Sequence, residues 1–178
     1  MDPAWVIAKA GICRRPMAAT MAALVIATIG CGGEAKRSTG STYIALTTLR
    51  ASTGAYAAGS LATFATLPDA TRLGPVPCDD PGGDLADDGR YQVSGSWQVP
   101  LPSGRHRATF RQLREDWQAR GIEITEYREL PDGVKVSLAG RDPAAGFSLS
   151  LTSTQPPDAV ALLVVSSCVI SPDGRYPG

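Results

Sequence analysis

Residues 91–101 read Tyr-Gln-Val-Ser-Gly-Ser-Trp-Gln-Val-Pro-Leu. Tyr91, Val93, Gly95, Trp97, Val99 and Leu101 alternate strictly with Gln92, Ser94, Ser96 and Gln98. Successive side chains of an extended chain point to opposite faces, so this pattern makes a strand with one face buried and one face wet.

Immediately C-terminal to it the period changes. Phe110, Leu113 and Trp117 recur at helical spacing between Arg107 and Arg120, Ala108 and Ala119 are good helix formers, and Gly121 stands where a helix stops. The spacing predicts a helix over 107–120.

The remainder of the C-terminal half returns to a period of two. Ile122 and Ile124 open a second strand, Leu130-Pro131-Asp132-Gly133 reads as a hairpin turn, and Val134, Val136 and Leu138 alternate with Lys135 and Ser137. Phe147, Leu149 and Leu151 alternate with Ser148, Ser150 and Thr152 as a fourth strand. After Pro156-Pro157-Asp158, the run 159–165 is apolar on both parities, which predicts a strand inside the sheet and covered on both faces. Strand, helix and then four strands joined by short turns give an α+β domain: an antiparallel sheet of about five strands with one main helix packed on one face.

Upstream the signals weaken. Residues 42–66 are weakly helical, with Leu46, Leu49, Ala57, Leu61 and Phe64 at loose helical spacing, but Gly54 and Gly59 each cost about 1 kcal/mol against alanine in a helix. Residues 67–90 read as a long Pro/Gly/Asp loop around Cys78, broken by Leu67-Pro68-Asp69, Pro75, Pro77, Pro81 and Gly82-Gly83, with at most a short strand over 70–73.

The N-terminal stretch is of another kind. Lys9, Arg14 and Arg15 precede an uncharged apolar run, Met17 to Ile29, in the order of a secretory signal. As a helix the run spans about 20 Å, against a hydrocarbon core of about 30 Å, so an uncleaved anchor would need more residues. Thr28-Ile29-Gly30-Cys31 and Gly32-Gly33 follow, and here the chain resembles the lipobox of bacterial lipoproteins, with Thr28 in the place of the usual leucine.

That resemblance implies cleavage before Cys31, removal of residues 1–30 with Cys13, and a diacylated Cys31 holding the protein on the extracytoplasmic face of the cell membrane. Two fatty chains make a stable anchor where one is marginal. Residues 31–41, rich in Gly, Ser and Thr, read as a flexible tether, and 42–178 as a single domain. The alanine-rich composition, Gly95-Ser96-Trp97, the basic helix ending near Trp117 and Ser166-Ser167-Cys168 resemble, more loosely, the small envelope lipoproteins of actinobacteria, a group that implies no particular activity.

With Cys13 removed and Cys31 acylated, Cys78 and Cys168 remain in a compartment where thiols are oxidised, and a disulfide between them is expected. They lack the C-x-x-C spacing of a redox pair.

Charge excludes one class of partner. The 178 residues carry 17 basic and 17 acidic side chains; loss of Lys9, Arg14, Arg15 and Asp2 leaves 14 against 16, or −2, and nothing in that balance suggests nucleic acid. G-x-S-x-G, H-E-x-x-H, G-x-G-x-x-G and phosphate-binding glycine loops are all missing from the sequence, so no cofactor is expected. The single histidine, His106, lies between Arg105 and Arg107 and reads as a surface residue. Trp97 and Trp117 read as core.

Two clusters remain as candidates. Asp79, Asp80, Asp84, Asp87 and Asp88 crowd a Gly-Pro loop, and hard cations take several carboxylates, although the spacing is not that of a known calcium loop. Arg107, Arg111 and Arg114 share one face of the helix, where Glu115 and Asp116 partly neutralise them, and are candidates for lipid headgroups or an acidic partner. The reading that follows is a membrane-anchored, non-catalytic module binding an envelope protein, glycan or lipid through the exposed sheet face or the arginine side of the helix. A small extracytoplasmic enzyme or calcium-binding protein, with its site in the Asp79–Asp88 loop, is the alternative.

Overall fold

The strand 91–101 is β2, Arg90–Pro100, and it organises a seven-stranded antiparallel sheet in a computed structural model that describes residues 42–62, 66–80, 82–86, 88–131, 135–154, 156 and 158–178. The described residues all fall in one unit, Thr39–Gly178. Cys31, the signal and the tether lie outside the described residues, as do Phe64, Asp87 and the tip of the 130–135 hairpin.

In chain order the elements are α1 (Leu46–Ser60), β1 (Arg72–Pro77), β2, α2 (Ser103–Ala119), β3 (Glu123–Glu129), β4 (Val136–Asp142), β5 (Phe147–Ser153), β6 (Ala159–Ser166) and β7 (Val169–Ile170). The sheet order is β1-β2-β6-β5-β4-β3, with β7 pairing β2 beyond the end of β6. Strands β3 to β6 form a meander, and α2 carries the chain from β2 across the sheet to the far edge at β3.

α2 begins four residues before the predicted start because its inward stripe extends a turn further, through His106, Phe110, Leu113 and Trp117. It ends as predicted: Gly121 adopts φ +82°, and Ile122 N donates to Trp117 O at 2.9 Å, closing the last turn. α1 is one continuous helix despite its two glycines. Apart from Leu49 its buried residues are small or polar, and Thr53 and Ser60 satisfy their hydroxyls on their own helix, at Leu49 O and Ala57 O, both at 2.8 Å.

Both helices pack on the same side. Ala57 and Leu61 of the first and Phe110, Leu113 and Trp117 of the second share a core with Trp97, Val99, Leu138, Leu149, Leu151, Val160, Leu162 and Val164. Trp117 Nε1 donates to Ser60 O at 3.1 Å and ties the two helices together. A smaller cluster of Leu49, Tyr91, Val93 and Val169 closes the other end.

Three expectations are corrected. The loop read over 67–90 contains an edge strand, β1. Cys78 N bonds Arg90 O at 3.4 Å, so by alternation Val76 and Gly74 face the ladder, while Pro75 and Pro77 occupy positions whose missing N–H would point away from it. β6 lies inside the sheet but is not covered on both faces: Val160, Leu162 and Val164 are buried, whereas Ala161 is exposed and Leu163 is 41% exposed. His106 is not on the surface. The earlier helix start turns it inward, fully buried, with Nε2 2.8 Å from Leu101 O, and since a carbonyl only accepts, this nitrogen carries the proton.

The disulfide is present as expected. Cys78 and Cys168, 90 residues apart with Cα atoms 6.2 Å apart, join the end of β1 to the break between β6 and β7. At that break the register against β2 slips by one residue, and Ser166 Oγ accepts from Val93 N at 3.0 Å in place of a backbone carbonyl.

Candidate functional site: the open sheet face

Because both helices sit on one side, the opposite face of the sheet carries no helix among the described residues. The register assigns its side chains to rows. One row runs Gly74, Ser94, Val165, Ser148, Arg141, Glu123; the next Arg72, Ser96, Leu163, Ser150, Ala139, Glu126; the third Gln98, Ala161, Thr152, Ser137, Arg128. At a strand spacing of about 4.8 Å this face is about 24 Å wide.

Its chemistry is graded from centre to rim. Ala161, Leu163 and Val165 of β6 form an apolar midline, Ser and Thr hydroxyls of β2 and β5 flank it, and the charges stand beyond these on β1, β4 and β3. An apolar centre with a polar rim is the usual anatomy of an interaction surface. The serines that the sequence places on the polar parity of the strands are thus gathered by the sheet onto one surface.

Two depressions flank this face. One, of about 550 Å³, is lined by Gln92, Arg141, Gly146, Phe147, Ser148 and the Ser166–Cys168 break, so the disulfide forms part of its wall. The other, of about 370 Å³, lies at the opposite end, between Arg128, Lys135, Ser137 and Thr152.

The arginine side of α2 is engaged within the fold. Arg111 makes a two-pronged contact to Glu129 of β3, at 2.9 and 3.1 Å, Arg107 reaches the same carboxylate at 3.2 Å, and Arg114 lies 4.5 Å from the centroid of the Tyr127 ring. The hydrogen bond from Arg111, and then that from Tyr127, hold the Glu129 carboxyl below the ordinary range. Tyr127 donates to this carboxylate, and burial followed by that bond raises its own hydroxyl. The carboxylate that meets this side of the helix comes from a neighbouring strand, where sequence adjacency had pointed to Glu115 and Asp116.

The aspartate loop is likewise tied internally. Asp80 and Asp88 both pair with Arg90, the latter at 2.6 Å, and Asp80 N bonds Asp84 O at 2.7 Å. Partial desolvation acts to raise the Asp88 carboxyl, but the Arg90 hydrogen bonds and charge outweigh it and leave it lowered. Asp79 enters an isolated bridge with Leu85. Among the described residues no group of three or more His, Cys, Asp or Glu side chains is arranged to hold a metal ion.

One constellation had no signal in the sequence. Tyr56 of α1 stacks on Phe147, with centroids 4.3 Å apart, and donates to Asp142 Oδ2 at 2.8 Å; burial first, then Asp142, raises its hydroxyl. Asp142 also accepts from Ala145 N and Ala144 N at 2.9 and 3.1 Å, and the Ala145 bond contributes most to lowering its carboxyl. This network rigidifies the β4–β5 turn, where Gly146 has φ +74°, and so fixes one wall of the larger depression.

In comparisons with protein-family models, curated proteins and solved structures, nothing matches the chain.

Proposed function

We propose that the chain is an exported lipoprotein, held at the extracytoplasmic face of the membrane through Cys31, whose α+β domain is a non-catalytic module that binds an envelope partner through its open sheet face. The observation that carries the reading is the one-sided cover of the sheet, which leaves Leu163 and its hydroxyl-flanked neighbours facing outward. Leu163, 41% exposed at the middle of this face, is a large apolar side chain that a contact there would bury. The disulfide supports export, because such bonds persist in oxidising compartments. Among the described residues no helix is long and apolar enough to cross a membrane. Tethering would then raise the effective concentration of the open face toward its neighbours.

The test is made in an actinobacterial host expressing the full chain with a photo-crosslinking residue at Leu163 on the open face or at Gln112 on the outer side of α2. Intact mass of the membrane extract is read beside a Cys31→Ser variant. The expected result is a mature mass beginning at Cys31 plus diacylglycerol, lost in the variant, with discrete crosslinked products from Leu163 and none from Gln112. An unlipidated mass indifferent to the substitution overturns the address, and products from Gln112 alone overturn the assignment of the binding face.

A further inference from the structure

The depression of about 550 Å³ at the disulfide end of the open face has the composition of an anion site rather than of a simple groove. We propose that it is a carboxylate-binding subsite in which Arg141 is the cation and Ser148, Gln92 and Ser167 supply the remaining hydrogen bonds. The inference rests on reading the open face as a binding surface, and it adds the class of chemical group that is bound there.

Five other arginines are engaged within the fold. Arg90 holds Asp80 and Asp88, Arg107 and Arg111 hold Glu129, Arg114 lies on Tyr127, and Arg120 donates to Gly59 O at 3.0 Å. Arg141, like Arg50, Arg72, Arg105, Arg128 and Arg175, makes no ion pair and no side-chain hydrogen bond to another described residue, although Glu123 is its cross-strand neighbour, and of these six it alone lines the larger depression. It is therefore a fork of donors at the depression with no acceptor among the described residues.

Asp142, the adjacent carboxylate, does not compete for it. That side chain points to the opposite face, where Tyr56 and the amides of Ala144 and Ala145 occupy it. Across the ladder from Arg141 stands Ser148, exposed on the same row. Gly146, without a side chain, leaves space beside Ser167: a Cβ there would sit 3.0 Å from Ser167 Oγ.

One guanidinium with hydroxyl and amide donors matches a group of charge −1. A planar carboxylate accepts two parallel bonds from the guanidinium fork and uses its remaining lone pairs on the neutral donors. A phosphate monoester carries about −1.5 to −2 at neutral pH and calls for further cations. Charge complementarity acts in the same direction. Residues 42–178 contain 12 basic and 15 acidic side chains, yet the rows of the open face carry Arg72, Arg128 and Arg141 against Glu123 and Glu126. An anionic partner is drawn to this face and repelled by the rest of the domain.

The carboxylate could belong to a peptide chain end or to an acidic sugar, and the experiment separates the two. Amide chemical shifts of the full chain, extracted in detergent, are followed while N-acetyl-alanyl-alanine or glucuronate is added, each beside its uncharged counterpart, the peptide amide or glucose. Inorganic phosphate serves as a third probe. The expected result is saturable shifts at Gln92, Ser148 and Ser167 for one carboxylate and not for its uncharged counterpart, with affinity at least about tenfold weaker in Arg141→Gln and partly restored in Arg141→Lys. No saturable shift up to about 50 mM, far beyond millimolar binding, overturns the proposal. Equal response to the uncharged counterpart, tighter binding of phosphate, or an unchanged affinity in Arg141→Gln also overturns it. Loss of the subsite with crosslinking at Leu163 intact would sink this inference alone and leave the binding face standing.

Discussion

Gly95 offers the most direct test of how the core is built. It faces inward on β2, and a Cβ built there would meet Trp97 Cζ3 at 2.7 Å and Leu73 Cδ1 at 2.9 Å, with Trp97 Cη2 closer still. Trp97 is only 3% exposed and has little freedom to retreat. Overpacking of this kind costs about 1–3 kcal/mol. Alanine in place of glycine in a strand returns about 0.5–1 kcal/mol. The balance for Gly95→Ala is a loss of up to about 2.5 kcal/mol, or a fall of up to about 9 °C in Tm for a domain of this size. Urea unfolding followed by far-ultraviolet circular dichroism measures it. The decisive comparison is the same substitution in a Trp97→Phe background, where the ring atoms that meet the new methyl are gone and the cost should vanish or change sign. An equal loss in both backgrounds, with a coupling energy under about 0.5 kcal/mol, would refute the proposed crowding.

The disulfide and the arginine network give two further predictions. Cys78→Ser/Cys168→Ser opens a closure spanning 90 residues and should lower stability by up to about 4–5 kcal/mol on the chain-entropy estimate; reduction of the parent protein should have the same effect, and a change under about 1 kcal/mol in either would contradict it. Glu129 has a folded carboxyl pKa below its unfolded value, so its contribution is whole above about pH 4.3 and is lost as pH falls through the folded value. Thermal melts from pH 7 to pH 3 should therefore show the parent more stable than Glu129→Gln at neutral pH and the two curves converging in acid, whereas parallel curves would remove Glu129 from the account.

Legibility followed the range of the interactions. The alternation over 91–101, the helical stripe ending at Trp117, the stop at Gly121 and the Ser-rich parity of β5 are written in neighbouring residues, because period and turn chemistry are local properties of the chain. The class α+β and the Cys78–Cys168 pair follow from those signals and from cysteine arithmetic. The edge strand β1 was hidden because prolines read locally as breakers, and only its place at the sheet edge turns their missing N–H groups outward. His106 looked solvated between two arginines until the longer helix rotated it into the core. The apolar run of β6 suggested cover on both faces, but hydrophobicity along one strand does not say how many layers lie above it. Which face stayed open, and how Gln92, Ser148 and Ser167 came to line one depression with Arg141, depend on pairings between strands far apart in sequence. Those pairings are settled by the sheet register and by the placement of both helices on one side, and no local pattern encodes them.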